Sequence, residues 1–297
     1  MKILNFGSLN LDYVYRVKDF VKPGETLDVL SQQVSAGGKG LNQSVALARA
    51  CSKTYHAGCV GTGGEMLTDL LKTNGVDTAH IAAVSTLQGN AVIQVTDRGE
   101  NCILLYGGSN RCVTDAQVDS TLAAFGEGDW LVLQNEINCL PYIVERAYDK
   151  GMRIVLNPSP YNDALNGVDF GMLDWIFVNE IEAEQISGTA DPDEAYRRLH
   201  AQYPALSVLI TLGKHGSVAF CGNERCAQPI FEMPVKDTTA AGDTFTGYFI
   251  TALTEQLPLA EALRRATAAS AIAVSRPGAA ASIPGKEEVD AFLRTRA

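Results

Sequence analysis

Three short segments combine glycine with side chains able to hold or move charge. The first is Asp237-Thr-Thr-Ala-Ala-Gly-Asp243, which runs at once into Thr-Phe-Thr-Gly-Tyr-Phe-Ile-Thr-Ala-Leu. Small residues opening an apolar helix leave the N–H groups of its first turn accessible, and the helix dipole favours an anion there. Phosphoryl transfer needs such donors around the oxygens of the moving group. An aspartate at the mouth of that hole, here Asp243, can take the proton of an attacking hydroxyl. The alternative is a helix start whose small residues serve only close packing. The second segment, Ala36-Gly-Gly-Lys-Gly-Leu-Asn42-Gln, places three glycines around a lysine, allowing close backbone approach to a ligand or simply a strand-to-helix turn. In the third, Gly7-Ser-Leu-Asn10-Leu-Asp12, Asn10 and Asp12 stand at period-two spacing, so both side chains point to one side of an extended chain. Paired Asn and Asp offer the donors and acceptors that sugar hydroxyls need.

The elements that must position these residues alternate along the chain. Apolar β-branched runs at Ile3–Phe6, Leu131–Leu133, Ile154–Leu156, Trp175–Val178 and Val208–Leu212 read as strands. Helical patterns lie at Leu41–Ala50, Met66–Lys72, Pro141–Lys150, Glu180–Ile186 and Glu194–Ala201, and the last quarter is helical at Ala241–Glu255, Leu259–Ser275 and Lys286–Arg294. Strands without polar/apolar alternation, separated by helices, predict a mostly parallel, doubly wound sheet covered on both faces. Such sheets bind ligands beyond the carboxyl ends of their strands. Two stretches break the pattern: Tyr13–Val34, and Asn90–Tyr106 with a polar Asp97-Arg98-Gly99-Glu100 turn that reads as a hairpin. They predict a small separate sheet, a lid or a dimer edge.

Composition narrows the partners. The 297 residues are 46% hydrophobic and 20% charged, an ordinary globular balance, with a formal net charge of −10. That charge argues against nucleic acid and anionic membrane as partners, and requires any phosphate to be bound locally by backbone amides, helix N-termini and a cation. Seven cysteines form no CxxC pair and four histidines lack ligand spacing, which favours a reducing cytoplasm over disulfides or zinc. The first residues read as a strand entering a glycine turn rather than a signal peptide, and no apolar run approaches the ~20 residues of a membrane span. A P-loop, a Rossmann GxGxxG spacing and protein-kinase signatures are absent from the sequence.

The Gly-Gly-Lys-Gly-Leu-Asn and Asp-Thr-Thr-Ala-Ala-Gly-Asp segments together resemble the two signatures of the ribokinase-like (phosphofructokinase-B type) carbohydrate kinases, and the resemblance extends along essentially the whole chain. It implies a doubly wound α/β core of residues 1–12, 35–89 and 107–297 and a β-sheet lid of residues 13–34 and 90–106, often shared across a homodimer. Asp243 matches the family's catalytic base, and Ala240, Ala241 and Gly242 match its anion hole. The sugar positions match Asn10, Asp12, Gly38, Lys39, Asn42 and Glu136, all of types expected for ribose. Asn179-Glu-Ile-Glu182 is similar to the family's Asn-x-x-Glu motif, which arranges Mg²⁺ and the ATP phosphates, with Glu182 acting on the metal indirectly. Thr211, Gly213 and Gly216 resemble the loop beside the nucleotide, and Thr267 stands where some relatives carry a histidine near adenine. A potassium site is implied at Asp237, Thr239, Ala273, Arg276, Gly278 and Ser282, several through backbone carbonyls. Tyr248 departs from a usually small residue, and Gly61–Met66 lacks aspartates common after that strand.

The resemblance implies transfer of the ATP γ-phosphate to the 5-hydroxyl of ribose. Another sugar or a nucleoside remains open as the substrate, with Tyr13, Tyr15 and Tyr106 able to cover a base. A phosphorylated sugar fits less well, because Lys39 is the one basic residue among the matched sugar positions. A sugar or nucleotide sensor without catalysis is the reading from another class. Gly37–Gly40 and Gly107–Gly108 are the expected lid hinges.

Overall fold

The structure, a computed structural model, describes residues 1–98 and 100–296. The chain opens with β1 (Ile3–Phe6), β2 (Asn10–Val17), β3 (Ser31–Gly37), α1 (Lys39–Arg49), β4 (Thr54–Thr62), α2 (Glu65–Thr73) and β5 (Asp77–Leu87). It continues through β6 (Asn90–Thr96), β7 (Asn101–Tyr106), α3 (Asp115–Leu122), β8 (Trp130–Gln134), α4 (Leu140–Asp149) and β9 (Arg153–Asn157). Then follow β10 (Trp175–Asn179), α5 (Glu180–Ser187), α6 (Pro192–Gln202), β11 (Ser207–Thr211), β12 (Ser217–Cys221) and β13 (Glu224–Gln228). The helices α7 (Ala241–Thr254), α8 (Leu259–Val274) and α9 (Lys286–Arg294) close the fold.

Nine strands form one sheet in the order β13-β12-β11-β10-β9-β8-β1-β4-β5. Pairing is parallel from β5 to β11, and β12 runs antiparallel between β11 and β13. Both faces are buried, because successive side chains of a strand point to opposite sides and both sets are apolar. Leu131 and Leu133 of β8 join Ile154 and Ile176 in the core under α3 and α4, whereas Trp130 and Val132 join Val155, Phe177 and Leu209 under α7 and α8. The doubly wound, mostly parallel sheet expected from the strand pattern is thus present. Tyr248 lies in this second core, 4% exposed, with its hydroxyl donating to the Pro284 carbonyl at 2.8 Å.

From β1 the chain adds β4 and β5 on one side and returns to add β8 to β11 on the other. The order therefore reverses between β1 and β8, where open α/β sheets bind ligands. A second, four-stranded sheet has the order β3-β2-β6-β7. In it β2 pairs antiparallel with β3 and parallel with β6, and β6 pairs antiparallel with β7. Its first two strands start at Asn10 and end at Gly37, so Asn10 and Asp12 stand on a strand of this sheet. In the expected turn 97–100, Gly99 lies outside the described residues. Among the described residues no helix is long and apolar enough to cross a membrane.

Candidate active site

The reversal point is built by close backbone approach. A Cβ on Gly40 would sit 2.3 Å from the Ser8 amide nitrogen, so only glycine lets the first turn of α1 meet the turn after β1. Beside it, Glu136 follows the end of β8 and its Oε2 accepts from the Ser8 hydroxyl and from the Lys39 amide, the latter at 3.0 Å. Gly38, at φ +92°, precedes α1, and a Cβ there would lie 3.1 Å from the Asn10 nitrogen. Gly37 leaves room for the Asp12 carboxylate, which a Cβ would strike. Asn10 accepts at Oδ1 from the Asn110 amide at 2.7 Å, and Asn110 in turn accepts from the Leu9 nitrogen at 2.9 Å. The expected sugar positions Asn10, Asp12, Gly38, Lys39, Asn42 and Glu136 are therefore brought to one end of the sheet.

Charge is concentrated here. Burial, reinforced by Glu136, raises the Asp12 carboxyl to about 7. Burial also raises Glu136, against the pull of Lys39 and the hydrogen bonds from Ser8 and the Lys39 amide. Burial works to lower the Lys39 ammonium, but Asp243, Glu136 and Glu182 outweigh it and hold the group above its usual range.

Asp243 lies in the first turn of α7, 8% exposed. Its Oδ2 accepts from Asn42 Nδ2 at 3.1 Å and its Oδ1 from Gln43 Nε2 at 3.0 Å. Ala240 precedes the helix in the left-handed region at φ +59°, a strained setting for a side chain with a Cβ, which turns the Ala241 and Gly242 end of the helix toward the site. A cavity of about 260 Å³ opens there, with Lys39, Asn157, Asn179, Glu182, Gly242 and Asp243 in its walls. Asn157 and Asn179 are the last residues of β9 and β10, so strand ends supply this wall. Asn179 and Glu182 form a capping box on α5: Asn179 Oδ1 accepts from the Glu182 nitrogen at 2.8 Å, and Glu182 Oε2 accepts from the Asn179 nitrogen at 3.0 Å.

A second cavity of about 690 Å³ adjoins the first, sharing Thr211, Thr238, Gly242 and Phe245. The expected Gly213, Gly216 and Thr267 line it, along with Ile230 and Met233. Thr267 Oγ1 is buried with no partner, an unused hydroxyl in a mainly apolar wall.

Behind α7, the segments 237–239 and 273–282 are tied together. Asp237 Oδ1 accepts from the Thr239 nitrogen at 2.9 Å and its Oδ2 from the Gly278 nitrogen at 2.9 Å. Burial works to raise the Asp237 carboxyl, but the Thr239 hydroxyl, donating at 2.6 Å, and these two N–H bonds outweigh it and hold it low. The Arg276 side chain pairs with Glu288, so only its backbone is available to that loop. Ala273 ends the region as a carbonyl accepting from the Arg276 nitrogen, and Ser282 donates its hydroxyl to Ala279 at 2.8 Å. Among the described residues no three His, Cys, Asp or Glu side chains gather as a metal site, so any ion would depend on carbonyl, amide and isolated carboxylate oxygens.

The profile of the pfkB family carbohydrate kinases matches residues 1–286. The chain belongs to that family. It is 38% identical to a ribokinase of Haemophilus influenzae, covering 97% of this chain and 96% of that protein, and 36% identical to a ribokinase of Staphylococcus aureus, covering 97% and 98%. It is similar to the crystal structure of ribokinase from Thermotoga maritima, at TM-score 0.86 and 34% identity, covering 99% of each chain. It is also similar to the Arabidopsis thaliana ribokinase complexed with ribose and ATP, at TM-score 0.86 and 27% identity, covering 99% of this chain and 98% of that one.

Sequence reasoning missed four polar residues that contact the candidate site: Ser8, Gln43, Asn110 and Gln134. Each is wholly or nearly buried, and each contacts a residue already named or its neighbour. Gln43 stands next to Asn42 in the motif, which was its one sequence signal. Nothing local distinguishes Gln134 or Asn110, whose partners lie about a hundred residues away.

Proposed function

We propose that this chain transfers the γ-phosphate of ATP to the 5-hydroxyl of D-ribose, yielding ribose 5-phosphate and ADP. The observation that carries the reading is the Asp243 carboxylate, held at the mouth of a helix N-terminus between the end where the sugar positions converge and the two adjoining cavities. Asp243 accepts the proton of the 5-hydroxyl as that oxygen attacks the γ-phosphorus. The N–H groups at Ala240, Ala241 and Gly242 take up charge on the transferring oxygens. Asn10, Asp12, Gly38, Asn42 and Glu136 orient the sugar hydroxyls, and the buried Asn42 Oδ1, which has no partner, is an acceptor ready for one of them. Lys39 brings a cation to the same place.

ATP occupies the larger cavity, with its base near Thr267 and its phosphates toward Gly242, Asn179 and Glu182. The oxygen donors Asn157, Asn179 and Glu182 suit magnesium that keeps several waters. Magnesium there supplies charge neutralisation for the phosphates. The backbone oxygens of 273–282 with Asp237 and Thr239 suit a potassium ion that shapes the anion hole from behind. Residues 13–34 and 90–106, which carry most of the four-stranded sheet, serve as the lid and, through the sheet's exposed apolar residues, as the contact of a homodimer. The cytoplasm, where ATP and reduced thiols are found, is the proposed location.

The test is ADP release by purified protein with ATP, Mg²⁺ and K⁺ against ribose, deoxyribose, fructose, adenosine and fructose 6-phosphate. Strong preference for ribose is expected. Turnover on another member of the panel keeps the kinase and discards ribose, and binding without any ADP release points to a sensor.

A further inference from the structure

The Asp243 carboxylate is supported from behind by a chain of buried amides that no step above uses. Gln43 is fully buried on α1 and donates from Nε2 to Asp243 Oδ1 at 3.0 Å. Its own Oε1 accepts from Gln134 Nε2 at 2.7 Å. The same Gln134 amide group donates to Asn5 Oδ1 at 2.8 Å, so both its N–H bonds are committed. Asn5 Nδ2 donates to the Gly40 carbonyl at 2.6 Å and to Ser44 Oγ at 2.8 Å. Ser44 Oγ lies 2.8 Å from His56 Nδ1. Burial drives His56 down to about 3, against a backbone contact with Gly7, so the ring is neutral, and its tautomer sets which of Ser44 and His56 donates.

The amide directions from Asn5 to Asp243 follow from their partners. Asn5 spends both N–H bonds on Gly40 and Ser44, so only its carbonyl oxygen faces Gln134. Gln134 must then present its amide to Asn5, and the same amide meets Gln43. Gln43 is left with its carbonyl toward Gln134 and its N–H toward Asp243. The strongly packed surroundings hold that arrangement: a Cβ on Gly7 would sit 2.3 Å from Gln134 Oε1, and a Cβ on Gly247 would sit 2.4 Å from the Ala46 Cβ, which lets α7 approach α1. The arrangement leaves Gln134 Oε1 buried and unpartnered. An unpaired buried carbonyl is costly, and the cost falls on a group whose orientation the chain needs.

We propose that Gln43 is a positioning residue for the Asp243 carboxylate, and that Gln134 and Asn5 act through it by dictating which way its amide points. The inference rests on Asp243 being the proton acceptor. With Asn42 on the other oxygen, Gln43 fixes the plane of the carboxylate, and with it the direction in which a lone pair meets the substrate hydroxyl. Misplacement of a reacting group by an ångström can cost about 10²-fold in rate.

The experiment compares six proteins in ADP-release kinetics with the best panel sugar: the wild type, Gln43→Met, Gln134→Leu, Asp243→Asn and the two double variants that join Asp243→Asn to each of the others. Gln43→Met keeps volume and removes the donor. Gln134→Leu touches nothing in the cavities, and it removes the donor to Gln43 Oε1, so that the Gln43 amide loses the bond that fixes its orientation. Both are expected to lower kcat by about 10- to 100-fold with KM for sugar and ATP changed less than about threefold. In the Asp243→Asn background neither should lower the residual turnover further, because there is no carboxylate left to aim. A purely structural role would lower turnover in both backgrounds and raise KM. Wild-type kcat in either variant overturns the proposal, even while Asp243→Asn is inactive. Full activity of Asp243→Asn instead removes the functional reading beneath it. If Gln43→Met does not fold, Gln134→Leu decides alone by the same criteria.

Discussion

Asp243 is accompanied by two amides and a helix N-terminus, and each of these contacts bears on the proton it would take. Replacing it by Asn keeps the shape and removes the basic group, and kcat should fall by about 10²–10⁴-fold while the sugar still binds. Calorimetric titration beside the ADP assay separates the two effects. Asp12 carries a different consequence. Its carboxyl is raised to about 7 in the folded protein from an ordinary value near 3.8, so the folded state holds a proton that the unfolded chain has released between those pH values. Stability therefore falls as pH rises through that window, and is best kept below it. Asp12→Asn should abolish this share of the pH dependence. Urea unfolding at pH 5 and pH 8 checks it: the wild type should lose more stability between the two than the variant does, and parallel losses would show that Asp12 does not titrate in that window.

At the scale of elements, the site depends on how closely α1 approaches α7, since one carries Asn42 and Gln43 and the other Asp243. Gly247 makes that approach possible by its missing Cβ. Gly247→Val should force the helices apart, costing about 1–3 kcal/mol of stability and lowering kcat through a displaced Asp243. A drop in melting temperature with kcat intact would show that the helix spacing does not reach the chemistry. The capping box on α5 makes a second element-scale case. Asn179→Ala removes the side-chain acceptor for the Glu182 nitrogen and should cost about 1 kcal/mol, with a raised KM for ATP because the same residues wall the smaller cavity. An unchanged KM for ATP would confine Asn179 to holding the helix.

For the whole molecule, the four-stranded sheet leaves apolar side chains uncovered. Its edge strand β7 is exposed along its length, with Ile103, Leu104 and Leu105 between 49% and 66% accessible, and Val34 on β3 is 44% accessible. Apolar surface of this kind commonly marks an interface. Sedimentation should find a dimer that Leu104→Lys converts to monomer, and a monomeric wild type would end the dimer reading. Much of this was legible in the sequence. The doubly wound sheet follows from apolar runs alternating with helical patterns, and Asp243, Lys39 and Asn42 are marked by glycine-rich neighbours, since glycine and small residues advertise close backbone approach locally. The hairpin of β6 and β7 was visible for the same local reason. Tertiary structure alone decided that β2 pairs in parallel with β6, because that pairing joins segments about eighty residues apart with no turn to announce it. It also decided that Asn10 and Asp12 stand on the small sheet, and that hydrogen bonds link Asn5 through Gln134 and Gln43 to Asp243. Buried amides carry no periodic or compositional signal; their meaning comes from partners that only the folded chain brings within hydrogen-bonding distance.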